Sequence, residues 1–201
     1  MKRVAVLISG RGSNLGALIE AQDANYEIIL VVSNVDGAGG LERAAAAGIA
    51  TAVIAHNGKT REAFDAEIDA ALRAARADLV VLAGFMRILS DGFTRGWEGK
   101  LINIHPSLLP RYKGTRVHER VLEAGDVVSG ASVHFVVPEL DAGPVIAQAS
   151  VPVHPSDTPQ MLADRVLAVE HGLYPEALKL LASDGVRLEN GLAVFAETAG
   201  R

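Results

Sequence analysis

Cysteine is absent from all 201 residues, which excludes disulfides, thiolate nucleophiles and thiolate metal sites. Aromatic residues are scarce, at 4% against 49% hydrophobic residues overall, so alanine, valine, leucine and isoleucine have to fill the core. A basic excess is also missing. The chain carries 19 Lys and Arg against 24 Asp and Glu, a net charge of −5. That balance argues against a general nucleic-acid binder while leaving room for a local basic pocket around a small anion. No apolar stretch approaches the length of a membrane-spanning helix. The opening run Met-Lys-Arg-Val-Ala-Val-Leu-Ile is far too short for a signal peptide. Metal-ligand spacing such as His-Glu-x-x-His does not occur. A cytoplasmic, metal-independent protein without nucleic-acid or membrane partners is the expectation.

What is present is an alternation of short apolar runs and amphipathic segments. Residues 4–9, 27–33, 52–55 and 79–83 read as strands, and 12–21, 40–47 and 60–77 as helices, with Thr60 a candidate N-cap. Continuous apolar strands alternating with helices predict a doubly wound, mostly parallel α/β sheet with helices on both faces. The second half changes character. Residues 131–137 and 145–153 read as paired strands and supply an antiparallel edge. A long helix is expected over 159–182, kinked or broken at Pro175, and a hairpin over 186–195 around Asn190-Gly191. The length fits one domain, 1–201.

After the first strand comes Ile-Ser-Gly-Arg-Gly-Ser-Asn-Leu, residues 8–15. A glycine turn opening a helix presents backbone N–H groups to a phosphate, aided by the helix dipole. Gly10 and Gly12 supply half of a dinucleotide fingerprint, but Leu15 stands where the third glycine belongs. A P-loop lysine is missing too. A single phosphate monoester fits better, with Ser13 and Asn14 adding side-chain hydrogen bonds.

The run Leu-Ile-Asn-Ile-His-Pro-Ser-Leu-Leu-Pro-Arg-Tyr-Lys-Gly, residues 101–114, carries the chemistry. Asn103 and His105 alternate on a strand and so share a face. Pro106 then ends the strand. A carboxamide donor beside an imidazole suits a developing oxyanion. Asp141, before Ala-Gly-Pro, is the candidate third member. Each residue has an ordinary structural reading by itself, and His134, alternating with Val133 and Phe135, reads as structural. Together they gain weight from their expected place at a strand's carboxyl end, where open α/β sheets hold ligands.

These segments resemble the phosphoribosylglycinamide formyltransferase family. The likeness rests on residues 7–15, 82–89, 103–110, 133–136, 140–145 and 170–175, and runs nearly the whole chain. The Asn-x-His-Pro-Ser-Leu-Leu-Pro run marks formyl-folate enzymes as a group, and the glycine loop narrows the choice. The resemblance implies that residues 1–100 form a phosphate-binding half and 101–201 a catalytic and folate-loop half. Gly12, Ser13 and Asn14 would hold the substrate phosphate, and Glu170 would meet the amine or ribose hydroxyls. Met86, Arg87, Ile88 and Leu89 would line a pteridine pocket with backbone groups. The loop bearing Val137, Leu140 and Asp141 would wrap that pocket, Asn103 would also touch it, and Arg61 would sit near the folate's anionic tail. Asn103, His105 and Asp141 match the catalytic trio, and a cis bond is implied at Leu109–Pro110. Arg11 departs from many related sequences and would add positive charge near the phosphate.

The implied reaction is formyl transfer from 10-formyltetrahydrofolate, a co-substrate, to the amine of glycinamide ribonucleotide in purine synthesis. It needs only small-molecule partners and no metal, in a monomer or homodimer. Asn103 and protonated His105 would donate to the oxyanion, and Asp141 would orient the ring. Three rival functions would leave other marks on the sequence. A formyltetrahydrofolate hydrolase would carry an extra N-terminal regulatory domain, whereas this chain begins at its first strand. A methionyl-tRNA formyltransferase would add a C-terminal RNA-binding domain and a basic surface. A non-catalytic nucleotide- or folate-binding module would not need the intact trio.

Overall fold

The computed structural model describes residues 1–197; positions 198–201 of the expected domain lie outside the described residues. The strands are β1 (Lys2–Ile8), β2 (Tyr26–Ser33), β3 (Ala50–Val53), β4 (Leu79–Leu82), β5 (Leu101–His105), β6 (Val128–Phe135) and β7 (Val145–Pro152). They form a seven-stranded sheet in the order β3-β2-β1-β4-β5-β6-β7. The pairs from β3 across to β5 are parallel, and β6 and β7 add the antiparallel edge. A separate hairpin joins β8 (Val186–Glu189) to β9 (Leu192–Phe195). The expected fold class is therefore the observed one.

Helices cover both faces because the central strands are apolar on both sides. On one face, α1 (Ser13–Glu20), α2 (Gly39–Ala46), α5 (Val117–Glu123) and α6 (Pro159–Ala182) pack against Val4, Val6, Val81, Ile102, Ile104, Val133 and Phe135. On the other, α3 (Arg61–Ala74) and α4 (Asp91–Gly96) set Phe64, Ile68, Leu72 and Phe93 against Ala5, Leu7, Val80, Leu82 and Leu101. That second layer stops at Leu101. Further along β5 the same face carries Asn103 and His105, and β6 places His134 and Ser132 directly opposite them. A polar patch thus begins where the apolar cover ends.

Some local expectations need correction. The expected break at Pro175 does not occur; α6 runs through it from Pro159 to Ala182. One lost N–H is offset by burial of Tyr174, Pro175, Ala177 and Leu178 on the core side. Tyr174 also pins the helix to the sheet, its hydroxyl donating to the Leu82 carbonyl at 2.8 Å. The short helices α4 and α5 had no clear periodic signature, being only six and seven residues long. The strand expected over 79–83 ends at Leu82. Thr60 does cap α3, accepting the Ala63 N–H at 3.2 Å.

Candidate active site

The strand order reverses at β1, which has β2 on one side and β4 on the other. Such a switch point opens a crevice at the strands' carboxyl ends. The loops leaving β1 and β4 meet there: the Ser9 N–H donates to the Gly84 carbonyl at 3.2 Å, and the Met86 N–H to Ser9 Oγ at 2.8 Å. Gly12 caps α1 in the left-handed region at φ 72°, and no side chain caps that helix. Its first-turn N–H groups, on Ser13, Asn14 and Leu15, have no intrahelical partner. A Cβ on Gly12 would stand 2.7 Å from Gly40 Cα, so the turn's close packing requires glycine.

Asn14, expected to help hold the phosphate, turns its side chain toward α6. Its Nδ2 donates to Glu170 Oε2 at 2.8 Å, across from α6, while its Oδ1 is buried without a partner. Burial raises the Glu170 carboxyl above its ordinary range, and the Asn14 hydrogen bond only partly opposes this. Beside α1 runs a cleft of about 430 Å³, lined by Ser13, Gly16, Arg43 and His171 among others. The Arg43 guanidinium rests on Gly16, where a Cβ would meet its Nη1 at 2.9 Å. His171 Nε2 is buried there without a partner. Neither Arg43 nor His171 was foreseen. Arg11 is exposed at the loop's tip.

At the end of β5 the three expected residues are brought together. His105 Nδ1 lies 3.4 Å from Asp141 Oδ2, and His105 Nε2 donates to the Tyr112 carbonyl at 2.9 Å. Asp141 Oδ2 also accepts the Gly114 N–H at 2.9 Å. Asn103 Nδ2 lies 3.3 Å from His134 Nε2, and that same nitrogen is 3.7 Å from Asp141 Oδ1. His134 Nδ1 donates to the Phe135 carbonyl at 2.8 Å. Burial pushes the His134 pKa down, against the attraction of Asp141. The ring is therefore neutral with its proton on Nδ1, and its Nε2 accepts from Asn103.

His134 thus belongs to the cluster and is not merely a core residue. Its alternation with Val133 and Phe135 did place it on the other face from those apolar side chains. The pairing of β6 with β5, which sets it against Asn103, was not visible in the sequence.

The loop 136–144 carries Asp141 back over this face. Phe135 N–H donates to the Pro144 carbonyl and Val136 N–H to the Leu101 carbonyl, at 3.0 and 2.9 Å. A Cβ on Gly143 would fall 1.7 Å from the Phe135 oxygen, so only glycine lets the loop close. The turn after His105 is held by Ser132, whose Oγ donates to the Ser107 carbonyl and accepts the Leu109 N–H. The Leu109–Pro110 bond is cis, as the resemblance implied. Among the described residues no group of three or more His, Asp or Glu side chains has metal-binding geometry.

The expected folate-side residues divide. Met86, Ile88 and Leu140 are 76%, 57% and 51% exposed, and Arg87 is exposed with them. Leu89 instead turns into the core at 7% and can offer only its backbone. Val137 is half-buried. Arg61 starts α3 one turn before Phe64, and Phe64 stacks on Phe85 with centroids 6.4 Å apart. This places the first turn of α3 beside the segment 85–88.

Residues 2–178 match the formyl transferase family, and the chain belongs to that family. Within it, the chain is 47% identical over 194 residues to phosphoribosylglycinamide formyltransferase of Escherichia coli (strain K12), covering 94% of this chain and 92% of that protein. It superposes on the crystal structure of phosphoribosylglycinamide formyltransferase from Anaplasma phagocytophilum with a TM-score of 0.91 and 46% identity, covering 98% and 96% of the two chains. It is also 53% identical over 194 residues to the trifunctional purine biosynthetic protein adenosine-3 of Bos taurus. That match takes in 94% of this chain but only 19% of the bovine protein, so the chain spans about a fifth of that relative's length.

Proposed function

We propose that the chain transfers the formyl group of 10-formyltetrahydrofolate to the amine of glycinamide ribonucleotide, a step of purine synthesis. The observation that carries this reading is the convergence of Asn103, His105 and Asp141 on one face at the end of β5, in a chain alike end to end with proteins of that name.

The surroundings fit both substrates. The uncapped start of α1 suits a phosphate monoester, and Arg43 and His171 line the adjoining cleft. Glu170, beside Asn14, would meet the amine or ribose hydroxyls. Three exposed apolar side chains, Met86, Ile88 and Leu140, offer walls for a flat ring system, and Arg61, at the start of α3, would meet its anionic tail.

10-Formyltetrahydrofolate supplies an activated formyl carbon, and attack by the amine builds negative charge on the formyl oxygen. Asn103 meets that charge. One of its N–H bonds is held by His134, which fixes the carboxamide and leaves the other free to donate. His105 can use only Nδ1 for this purpose, because Nε2 is committed to the Tyr112 carbonyl. The 3.4 Å contact from Nδ1 to Asp141 is longer than a charge-assisted hydrogen bond of about 2.7–2.9 Å, so Nδ1 is not fully committed to Asp141. Tyr112 and Asp141 both offer acceptors, an arrangement suited to an imidazole with a proton on each nitrogen. Asp141 orients that ring and can relay a proton from the attacking amine to the departing folate nitrogen, whose bond to the formyl carbon breaks as the intermediate collapses.

The test is an assay of purified protein with 10-formyltetrahydrofolate and either glycinamide ribonucleotide or water as acceptor. Formyl transfer that requires the ribonucleotide is the expected result. Formyl release at equal rates without the amine would assign a hydrolase.

A further inference from the structure

The segment 112–114 touches both members of the His105–Asp141 pair. The Tyr112 carbonyl accepts from His105 Nε2, and two residues later the Gly114 N–H donates to Asp141 Oδ2. Both residues lie in the left-handed region, at φ 56° and 82°. For Gly114 that is unstrained. For a tyrosine it is a conformation that persists only where the surroundings impose it.

What imposes it here is a set of side-chain contacts outside the proposed chemistry. From α5, Arg120 Nη1 donates to the Lys113 carbonyl at 2.7 Å and lies 3.4 Å from the Thr115 carbonyl. Its guanidinium carbon stands 5.3 Å from the centroid of the Tyr112 ring, and that of Arg111 stands 5.1 Å away. Both are within cation–π range. The Tyr112 hydroxyl donates to Asp126 Oδ2 at 2.7 Å, and Arg111 pairs with the same carboxylate. Arg116, the residue before α5, provides no side-chain cap. Arg120 is thus the side chain that ties α5 to the peptide groups between Tyr112 and Thr115.

We propose that Arg120 is a positioning residue for the His105–Asp141 pair, acting through the backbone of residues 112–114. Its hydrogen bond to the Lys113 carbonyl fixes the Lys113–Gly114 peptide plane, which carries the Gly114 N–H, and its charge holds the Tyr112 ring. Together these aim one carbonyl at His105 and one N–H at Asp141. Arg120 touches neither substrate nor the reacting atoms. The catalytic consequence rests on the formyl-transfer reading; the geometric one does not.

The experiment compares wild type, Arg120→Met and Arg120→Lys by steady-state kinetics and by long-range 1H–15N spectra of the histidine rings, with His105 assigned by loss of its signals in His105→Asn. Arg120→Met is expected to lower kcat by about 10–100-fold, the scale of a small misplacement of reacting groups, with KM for both substrates within about twofold. The His105 ring-nitrogen signals should move in the substrate-free protein. Arg120→Lys keeps a cationic donor for the Lys113 carbonyl and should recover part of kcat and part of the shift. Unchanged His105 signals in both variants would overturn the proposal, as would a higher KM with intact kcat. If Arg120→Met does not fold, Arg120→Lys decides, since its partial shift and partial kcat loss must appear together. If wild type transfers no formyl group, the functional reading fails, while the ring spectra still report on the clamp.

Discussion

Asn103 and His134 stand directly opposite each other on β5 and β6, with Asn103 Nδ2 3.3 Å from His134 Nε2. A neutral imidazole protonated on Nδ1 can accept there, and an imidazolium cannot. The carboxamide is therefore oriented before any substrate arrives, which is what an oxyanion donor needs in order to act without reorganisation. Asn103→Ala removes the donor and should lower turnover about 10²–10³-fold. Because Asn103 is only half-buried, the melting temperature should stay within a few degrees of wild type. Steady-state kinetics beside a thermal melt check both halves, and a folded variant with near-normal kcat removes Asn103 from the chemistry.

Asp141 is an acceptor on every side, taking the Gly114 N–H and facing His105 Nδ1. Asp141→Asn preserves size but can turn an NH₂ toward one of those donors. Turnover should fall by about 10²–10⁴-fold, the range spanned by loss of a proton-transfer group, while KM for the phosphorylated acceptor changes little. Wild-type turnover in the purified variant would end the role given to Asp141.

The phosphate reading can be tested without touching the trio. Gly12→Ala puts a Cβ 2.7 Å from Gly40 Cα at a position with φ 72°. The left-handed backbone alone costs an alanine about 1–2 kcal/mol, and relief of the contact must move the turn. KM for the ribonucleotide should rise roughly tenfold, equivalent to about 1.4 kcal/mol, with a smaller change in kcat. An unchanged KM would mean that the turn does not hold the phosphate.

How far the sequence reaches can be judged from these same residues. Asn103 and His105 are two apart on a strand, so a local rule put them on one face. The apolar runs of β1 and β4 likewise announced a parallel sheet buried on both sides. His134 was read as structural, and it is buried as that reading implied; its contact with Asn103 stayed hidden because it comes from strand pairing, 31 residues away, and no local period encodes that register. Arg43 and His171 were missed for a similar reason: the cleft they line forms only when α2 and α6 pack beside α1. Pro175 misled in the opposite direction, since the burial that carries α6 past it is a tertiary effect.

Acid should weaken the fold in a defined window. Burial lowers the pKa of both His134 and His118 from the ordinary 6.5. Between the folded values and 6.5 the unfolded chain binds more protons, so stability rises with pH through that range. It is fully present above about pH 6.5 and is lost as pH falls. His134→Gln keeps an acceptor for Asn103 and does not titrate, so its melting temperature should fall less than that of wild type between about pH 7.5 and 5.5. Equal slopes would show that His134 is not held neutral by its burial.

Glu170 should show the opposite sign. Its carboxyl is raised above the ordinary 4.5 by burial, so the folded chain holds that proton more tightly than the unfolded one. The stability this gives is complete below about pH 4.5 and is lost as pH rises through the folded value. Glu170→Gln removes the charge, and its carboxamide oxygen can still accept from Asn14 Nδ2, which lies 2.8 Å from the carboxylate in wild type. The variant should therefore melt higher than wild type at about pH 7.5, by about 2–4 °C for each kcal/mol regained. That advantage should vanish near pH 4.5. If Glu170 meets the substrate's amine or ribose hydroxyls, KM for the ribonucleotide should rise in the same protein, a stability gain paired with a binding loss. A higher melting temperature with an unchanged KM would make Glu170 only a buried partner of Asn14. A lower melting temperature at neutral pH would show that the carboxylate is better satisfied than its burial implies.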